Sequence, residues 1–275
     1  MSPGLVDTHA HIQGEEFSED IAAVIGRARE AGVEGIVVPG VDVETSLAAI
    51  ALTDAWDGVF ASAGIHPHEA SRLDDVALAK IEALLEHPRV VAVGEIGLDY
   101  FYEHSPREAQ LRCLSEMLEL ARGHALPIIV HCRDAWEDAA EVLEPWAYSV
   151  REPFEGRPVG VMHYFTGSLK QARFFMDLGF MISIHTSVTH TKQSALREVV
   201  AQLPLQSLVV ETDSPYGAPQ SHRGKRNEPA HVAEVAAQVA KEQGVPVDEV
   251  ARATSANAAR LFGLPGIAGA GGGCP

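Results

Sequence analysis

The chain has 275 residues, 46% of them apolar, and a formal net charge of −17. This composition indicates a globular protein with a full core and excludes a disordered chain. The acidic excess argues against a protein that coats duplex nucleic acid with a broad basic face. It permits a polyanionic substrate in a pocket whose positive charge comes from metal ions and a few arginines.

The sequence carries no sign of export or of a membrane anchor. It has no run of about 18 uncharged apolar residues, and no basic region followed by an apolar run at its start. Its three cysteines form no CxxC pair, which suits a reducing compartment. We therefore expect a cytoplasmic protein without membrane association, and no obligatory protein partner is indicated.

Runs of β-branched and apolar residues that end in Gly, Pro or polar residues predict eight strands. In chain order they are Gly4–Asp7, Val33–Val41, Val59–Ile65, Val90–Gly97, Pro127–His131, Val159–His163, Phe180–Ile184 and Leu208–Thr212. Amphipathic patterns predict helices between and after them, at Glu19–Ala31, Thr45–Trp56, Val76–Glu86, Arg107–His124, Ala135–Trp146, Leu169–Leu178, Ser194–Gln202, His231–Gln243 and Val247–Phe262. The polar segment Ala147–Pro158, with two prolines, is predicted to be a long loop.

Strand followed by helix, repeated eight times, predicts parallel strands covered on both faces. The expected fold is α/β, a (β/α)8 TIM barrel in a single domain over residues 1–263, followed by a flexible Gly-rich tail at 264–275. An open doubly wound sheet is the alternative, but no Gly-x-Gly-x-x-Gly follows the first strand.

Residue types that bind metals recur where the predicted strands end, which is where such barrels carry their active sites. Six of the eight strands run into His, Asp, Glu or Arg, whereas the strand bodies contain almost none. Clustered ionisable groups are costly to bury unless they bind a cation or pair with one another. The first strand runs into His9 and His11, which in an extended chain point the same way.

The set of ligands suggests two divalent ions. His9, His11 and Asp213 would hold one ion, and His131 and His163 the other. Glu95 would bridge the two ions, because each carboxylate oxygen can bind one cation. Imidazole ligands suit Zn, Mn or Ni better than Mg, although this preference is soft. Two ions about 3.5–4 Å apart are suited to phosphoryl transfer.

An ordered set of motifs resembles the TatD family of metal-dependent deoxyribonucleases, which belong to the amidohydrolase-like barrels. The motifs are His9-x-His11, Gly64-x-His66-Pro67, Gly94-Glu95-Ile96-Gly97-Leu98-Asp99, His131-x-Arg133, His163-x-Phe165-x-Gly167, Glu211-Thr212-Asp213 and Arg223-Gly224-Lys225-Arg226-Asn227-Glu228-Pro229. The resemblance implies a (β/α)8 barrel and a metal-dependent phosphodiesterase that acts on DNA, often from a 3′ end. It also implies six metal ligands: His9, His11, Glu95, His131, His163 and Asp213.

The remaining polar residues receive roles from their charge and position. We expect Asp213 to accept the proton of the attacking water, and His66 to donate to the phosphate or to the leaving oxygen. Arg133 and Arg223 are predicted to bind substrate phosphate. Asp99 and Glu211 are predicted to orient ligating histidines. The aromatic residues 100–102 are candidates for stacking on a base, although packing in the core is the commoner fate of such residues.

The leading hypothesis is a two-metal hydrolase that degrades single-stranded DNA ends from 3′ to 5′, with RNA as a further candidate substrate. One alternative is a hydrolase of another ester or amide on the same barrel, such as an aminoacyl ester on RNA. An alternative of another class is a metal-binding scaffold protein without activity, which the filled ligand positions disfavour.

Overall fold

A computed structural model of the chain describes residues 4–267. The eight strands are β1 Leu5–Asp7, β2 Val33–Pro39, β3 Val59–Ala63, β4 Val90–Asp99, β5 Ile128–Arg133, β6 Gly160–Met162, β7 Phe180–Ile184 and β8 Leu208–Val210. They form one eight-stranded sheet in the order β1 to β8, in which the pairs β1–β2, β3–β4, β4–β5, β5–β6 and β7–β8 are parallel. This order, with helices between the strands, is that of a (β/α)8 barrel, so the predicted fold class is confirmed.

The helices match the predicted ones closely. They are α1 Ile21–Glu30, α2 Val43–Ala55, α3 Asp75–Leu85, α4 Arg107–His124, α5 Trp136–Phe154, α6 Leu169–Asp177, α7 Ser194–Val200, α8 Val232–Gln243 and α9 Val247–Phe262. Two of them begin at an aspartate whose side chain accepts a backbone N–H, Asp42 before α2 and Asp74 before α3. Among residues 4–267, no helix has both the length and the apolarity needed to cross a bilayer.

The prediction of a loop over Ala147–Pro158 was wrong for its first half, because α5 continues to Phe154. Buried side chains continue at helical spacing through this segment, namely Leu143, Trp146, Ala147, Val150 and Phe154. The two prolines and the charged residues between them make this apolar stripe hard to recognise in the sequence. Burial of the stripe therefore outweighs the poor helix propensity of the segment.

The chain folds as two compact units. The first contains Met1–Val38, Tyr164–Arg173 and Ile182–Pro275. Within it β1 pairs with β2, β7 pairs with β8, and α9 packs on β1 and β8. On α9, Asn257 donates to the carbonyls of Leu205 and Leu208, which fixes the start of β8. Leu264 and Ile267, at the start of the predicted tail, are buried; the tail beyond Ile267 lies outside the described residues.

The second unit contains Pro39–His163 and Phe174–Met181. In it β3, β4, β5 and β6 pair side by side, with α2 packed on β3 and α4 packed on β4. The Trp146 indole on α5 donates to the Leu118 carbonyl of α4, so this large side chain is buried with its polar atom satisfied.

Candidate metal centres

His9, His11 and Asp213 converge in the first unit, and we call them the first cluster. The Nε2 atoms of His9 and His11 lie 3.2 Å apart. The Asp213 Oδ1 lies 3.8 Å from Nε2 of His9 and 3.6 Å from Nε2 of His11. Ligand atoms that surround one ion at about 2.1 Å are separated by roughly 3.4 Å in tetrahedral geometry. The donor atoms of this cluster therefore fit a single divalent ion.

Backbone pairing brings the two segments of the first cluster together. His9 and His11 lie beyond the end of β1 rather than within it, so strand alternation is not what aligns them. Instead, the Asp213 N–H donates to the His9 carbonyl, and the His11 N–H donates to the Ser214 carbonyl. The convergence that the sequence predicted is present, but pairing between distant segments produces it.

Asp7, which the sequence analysis did not single out, supports the same arrangement. It is fully buried, and its carboxyl accepts from the Thr212 N–H at 2.9 Å, the Thr212 hydroxyl at 2.6 Å and the His9 N–H at 3.3 Å. Burial raises the pKa of Asp7 to about 8, against the opposing effect of these hydrogen bonds. The Asp7 side chain therefore fixes two parts of the first cluster: Thr212, which precedes Asp213, and the ligand residue His9.

Asn227, in the basic motif, has a comparable structural role. Its buried amide donates to the carbonyls of Thr212 and Tyr216, on either side of Asp213. Asp213 has a φ of 59°, which is uncommon for a residue other than glycine and is stabilised here by these bonds. The motif therefore contributes to the position of Asp213, a role that spacing alone did not reveal.

Four residues around one carboxylate oxygen form the second cluster, in the second unit. Glu95 Oε1 lies 2.9 Å from Nδ1 of His131, 3.4 Å from Nε2 of His66 and 3.5 Å from Nε2 of His163. Glu95, His66 and His163 are buried, and His131 is nearly so. The donor atoms of His66, Glu95 and His131 lie within 4.8 Å of one another, a carboxylate and two imidazoles that suit a divalent ion. His163 does not belong to that group of three.

The register of β4 against β5 explains how His131 enters the second cluster. Gly97 is paired with His131, and Glu95 and Asp99 lie two residues to either side of Gly97. A Cβ at Gly97 would lie 1.9 Å from the His131 carbonyl oxygen, and its φ of 141° also favours glycine. The imidazole therefore spans the two carboxylates, with Nδ1 at Glu95 and Nε2 3.1 Å from Asp99 Oδ2.

Asp99 contacts two histidines. Its Oδ2 also lies 2.9 Å from Nε2 of His68. Burial raises the pKa of Asp99, but hydrogen bonds from His131, Tyr102 N–H and His68 outweigh it and hold that pKa well below its ordinary value. Although burial lowers the pKa of His131, Asp99 and Glu95 together raise it. These contacts are those of a carboxylate that orients a ligating histidine.

His66 lies in contact with Glu95, with its Nε2 3.4 Å from Glu95 Oε1. The predicted role of His66 in binding substrate did not require it to lie so close to the metal-binding atoms. Burial lowers the pKa of His66 to about 4. The imidazole is therefore neutral near pH 7. Its Nδ1 accepts the His68 N–H at 3.1 Å, so its own N–H is on Nε2, the atom that faces Glu95. Glu211 accepts the Tyr164 N–H at 2.7 Å and the Ser183 hydroxyl at 2.6 Å.

The predicted phosphate-binding arginines have different surroundings. The Arg133 guanidinium lies 4.0 Å from the Phe101 ring centroid and 4.6 Å from that of Tyr102. Within residues 4–267, Arg223 is exposed and makes no ion pair. Arg226, by contrast, is bound to Asp20 and Glu228. The basic motif therefore leaves Arg223 accessible to an anion.

The chain is similar to a known protein family and to individual members of it. The model of the family described as TatD related DNase matches residues 6–263. The chain belongs to the TatD family. It is 40% identical to the metal-dependent hydrolase YabD of Bacillus subtilis, over 94% of this chain and 98% of that one. It is 33% identical to the 3′-5′ ssDNA/RNA exonuclease TatD of Klebsiella pneumoniae, over 94% and 98%. Membership confirms the predicted class of enzyme, a metal-dependent hydrolase.

Solved structures of relatives have the same fold as this chain. The crystal structure of the TatD homologue YjjV from Escherichia coli K12 superimposes with a TM-score of 0.89 at 36% identity, covering 96% of this chain and 100% of that one. A TatD-family hydrolase of Entamoeba histolytica gives a TM-score of 0.83 at 22% identity, over 95% and 99%, which supports the fold alone.

Proposed function

We propose that this TatD-family member is an exonuclease that removes nucleotides from the 3′ end of single-stranded DNA. The observation that supports it is the pair of His–carboxylate clusters, which supply donor sets for divalent ions in a chain otherwise poor in positive charge. Relatives named as 3′-5′ ssDNA/RNA exonucleases, at about one-third identity, support the choice of substrate and make RNA a further candidate. The predicted cytoplasmic location is part of this proposal.

We further propose two divalent ions, one held by the first cluster and one by His131 and His163, with the bridging role of Glu95 as predicted from the sequence. Imidazoles dominate both clusters, which favours Zn, Mn or Ni over Mg. Divalent ions supply two effects in such hydrolases: they lower the pKa of water and neutralise charge on the phosphate.

Residues of the chain provide the remaining steps. Asp213 is held by backbone hydrogen bonds and is only partly buried, so its carboxylate is placed to accept the proton of the attacking water. His66, neutral near pH 7, donates an N–H hydrogen bond to a phosphate oxygen rather than a proton to the leaving group. Arg133 and the exposed Arg223 bind phosphates of the strand.

The experiment is degradation of a short single-stranded DNA labelled at either end, with Mg, Mn, Zn or Ni. We expect metal-dependent shortening from the 3′ end. Glu95→Ala should abolish it, whereas the exposed Glu86→Ala serves as the matched control and should retain it. Asp213→Asn should lower kcat by roughly 10²- to 10⁴-fold. Full activity of a metal-loaded Asp213→Asn enzyme would refute the role of that residue as a base.

Metal analysis separates the alternatives. Two ions per chain in the wild type, and fewer in Glu95→Ala and His11→Ala, would support the two-ion site. Bound metal without cleavage of DNA or RNA would refute the nuclease and direct the search to other esters and amides. A chain that retains no divalent ion would refute the proposed metal chemistry itself.

A further inference from the structure

Two aromatic side chains beside the second cluster are exposed where the sequence analysis expected packing in the core to be the commoner fate. Phe101 is 56% exposed and Tyr102 is 52% exposed. Their rings meet edge to face, with centroids 4.8 Å apart, and the Arg133 guanidinium lies over both. The Tyr102 ring is also stacked with the His104 imidazole, with centroids 5.6 Å apart. We call Phe101, Tyr102 and Arg133 the aromatic platform. Exposed apolar side chains in a group are a feature of binding sites.

The platform is held in place by buried polar contacts. Asp99 Oδ1 accepts the N–H groups of Phe101 and Tyr102, at 3.0 and 2.9 Å. The buried Gln110 accepts the Asp99 N–H and donates to the carbonyls of Asp99 and Ser105, at the two ends of this segment. The segment therefore presents its rings to solvent from a fixed backbone, which lowers the entropic cost of binding a flat ligand.

The same Asp99 joins the platform to the second cluster. Its Oδ1 fixes the segment that carries the rings, and its Oδ2 contacts His131 beside Glu95. Tyr102 lies three residue steps after Asp99, a backbone span of at most about 11 Å. Stacked nucleotides of one strand are spaced about 3.4 Å apart. A base on the platform would therefore lie within roughly three nucleotides of the second cluster.

Charge favours a nucleotide over other flat ligands. The platform pairs apolar ring surface with one guanidinium, which suits the combination of a neutral base and an adjacent phosphate. The chain as a whole carries a net charge of −17 and gives little electrostatic attraction to a strand. Affinity that comes from stacking does not depend on that attraction.

We propose that an unpaired base near the 3′ end of the substrate stacks on the face of one ring of the platform and packs against the other ring, while Arg133 binds a neighbouring phosphate. The assignment rests on the proposed function for the identity of the substrate. It adds a binding subsite for bases, which gives the enzyme a preference for strands whose terminal bases are unpaired.

Equilibrium binding tests the subsite without turnover. The metal-loaded protein is titrated into fluorescein-labelled, hydrolysis-resistant phosphorothioate oligothymidine, and fluorescence anisotropy is read. Parallel oligomers carry one abasic site at each of the last three 3′ positions. We expect the wild type to bind the best-placed abasic oligomer roughly 5- to 100-fold more weakly than the intact one.

Variants then assign the effect to the rings. Phe101→Ala and Tyr102→Ala should weaken binding of the intact oligomer and leave that of the abasic oligomer nearly unchanged. Phe101→Trp and Tyr102→Phe should retain the preference. Tyr148→Ala is the matched control, because Tyr148 is 53% exposed on α5 and pairs with Arg151 in the same way. An effect transmitted through Arg133 alone would weaken intact and abasic oligomers equally and would refute stacking.

Two further outcomes separate this inference from the proposed function. Equal affinity of the wild type for intact and abasic oligomers would overturn the platform even if the enzyme degrades DNA. Stacking that depends on Phe101 and Tyr102 would establish the subsite even if no cleavage occurred. If replacing both rings instead converted a dimer to a monomer with unchanged DNA affinity, the platform would be a contact between copies of the chain.

Discussion

Replacement of Asp7 tests how the first cluster is positioned. Asp7→Ala removes three hydrogen bonds and leaves the N–H groups of His9 and Thr212 buried without their partner. Each buried donor left unsatisfied costs about 1–3 kcal/mol, so we expect the free energy of unfolding to fall by about 4 kcal/mol. Binding of Zn or Mn at the first cluster should weaken as well, because both segments that carry its ligands are released.

Asp7→Asn should be nearly neutral, within about 1 kcal/mol. The amide oxygen can accept the two backbone N–H groups, and the amide nitrogen can donate to the Thr212 hydroxyl, which in turn reaches Ser214 at 3.0 Å. A raised pKa of about 8 means that the metal-free native carboxyl already holds its proton at neutral pH, so the variant replaces one neutral group with another.

Urea unfolding of the metal-free proteins at pH 7, followed by calorimetric titration with Zn or Mn, measures both effects. Asp54→Ala is the matched control, since Asp54 is 71% exposed, and should stay within about 0.5 kcal/mol of the wild type. An Asp7→Ala protein within 1 kcal/mol of the wild type would refute the reasoning. So would an Asp7→Asn protein as unstable as Asp7→Ala.

Three other perturbations test the described contacts. Gln110→Leu removes the partner of Asp99 and Ser105 and should cost about 2–4 kcal/mol of unfolding free energy in urea, and a loss below about 1 kcal/mol would contradict the anchoring role. Phe154→Ala should cost about 3–4 kcal/mol by the same measurement, whereas a residue in a surface loop would cost almost nothing. Burial raises the pKa of Glu228, but hydrogen bonds from Arg27 and Arg226 outweigh it and lower that pKa below 4.5. Its stabilising effect, about 1 kcal/mol, is thus present above pH 4.5 and lost as pH falls through the lowered pKa. Glu228→Gln should therefore be less stable than the wild type at pH 7, and the difference should shrink as pH falls below 4.5; a difference independent of pH would contradict the ion pairing.

Local patterns determined the order and type of the elements. Every strand is a short run of apolar residues bounded by Gly, Pro or polar groups, and every helix shows a buried stripe. Residues that are close in sequence are therefore sufficient to predict where each element lies and whether it is a strand or a helix. The same patterns placed histidines and carboxylates after the strands, and the predicted convergence of His9, His11 and Asp213 is present. They did not predict that His66 lies against Glu95. The metal-binding roles of these residues stay predictions. The wrong prediction of a loop over Ala147–Pro158 has the same origin. An apolar stripe that prolines and charged residues interrupt does not predict a helix until its burial is known.

Only the tertiary structure decided which side chains meet. The hydrogen bond between Asp7 and Thr212 joins residues 205 positions apart, and that between Glu95 and His131 joins residues 36 apart. His68 reaches Asp99 across 31 positions, and Phe101 and Tyr102 are exposed because Asp99 and Gln110 hold their backbone. Such contacts depend on the register of distant segments. Side-chain periodicity in a sequence shows only which face of its own element each residue occupies, so it does not reveal that register.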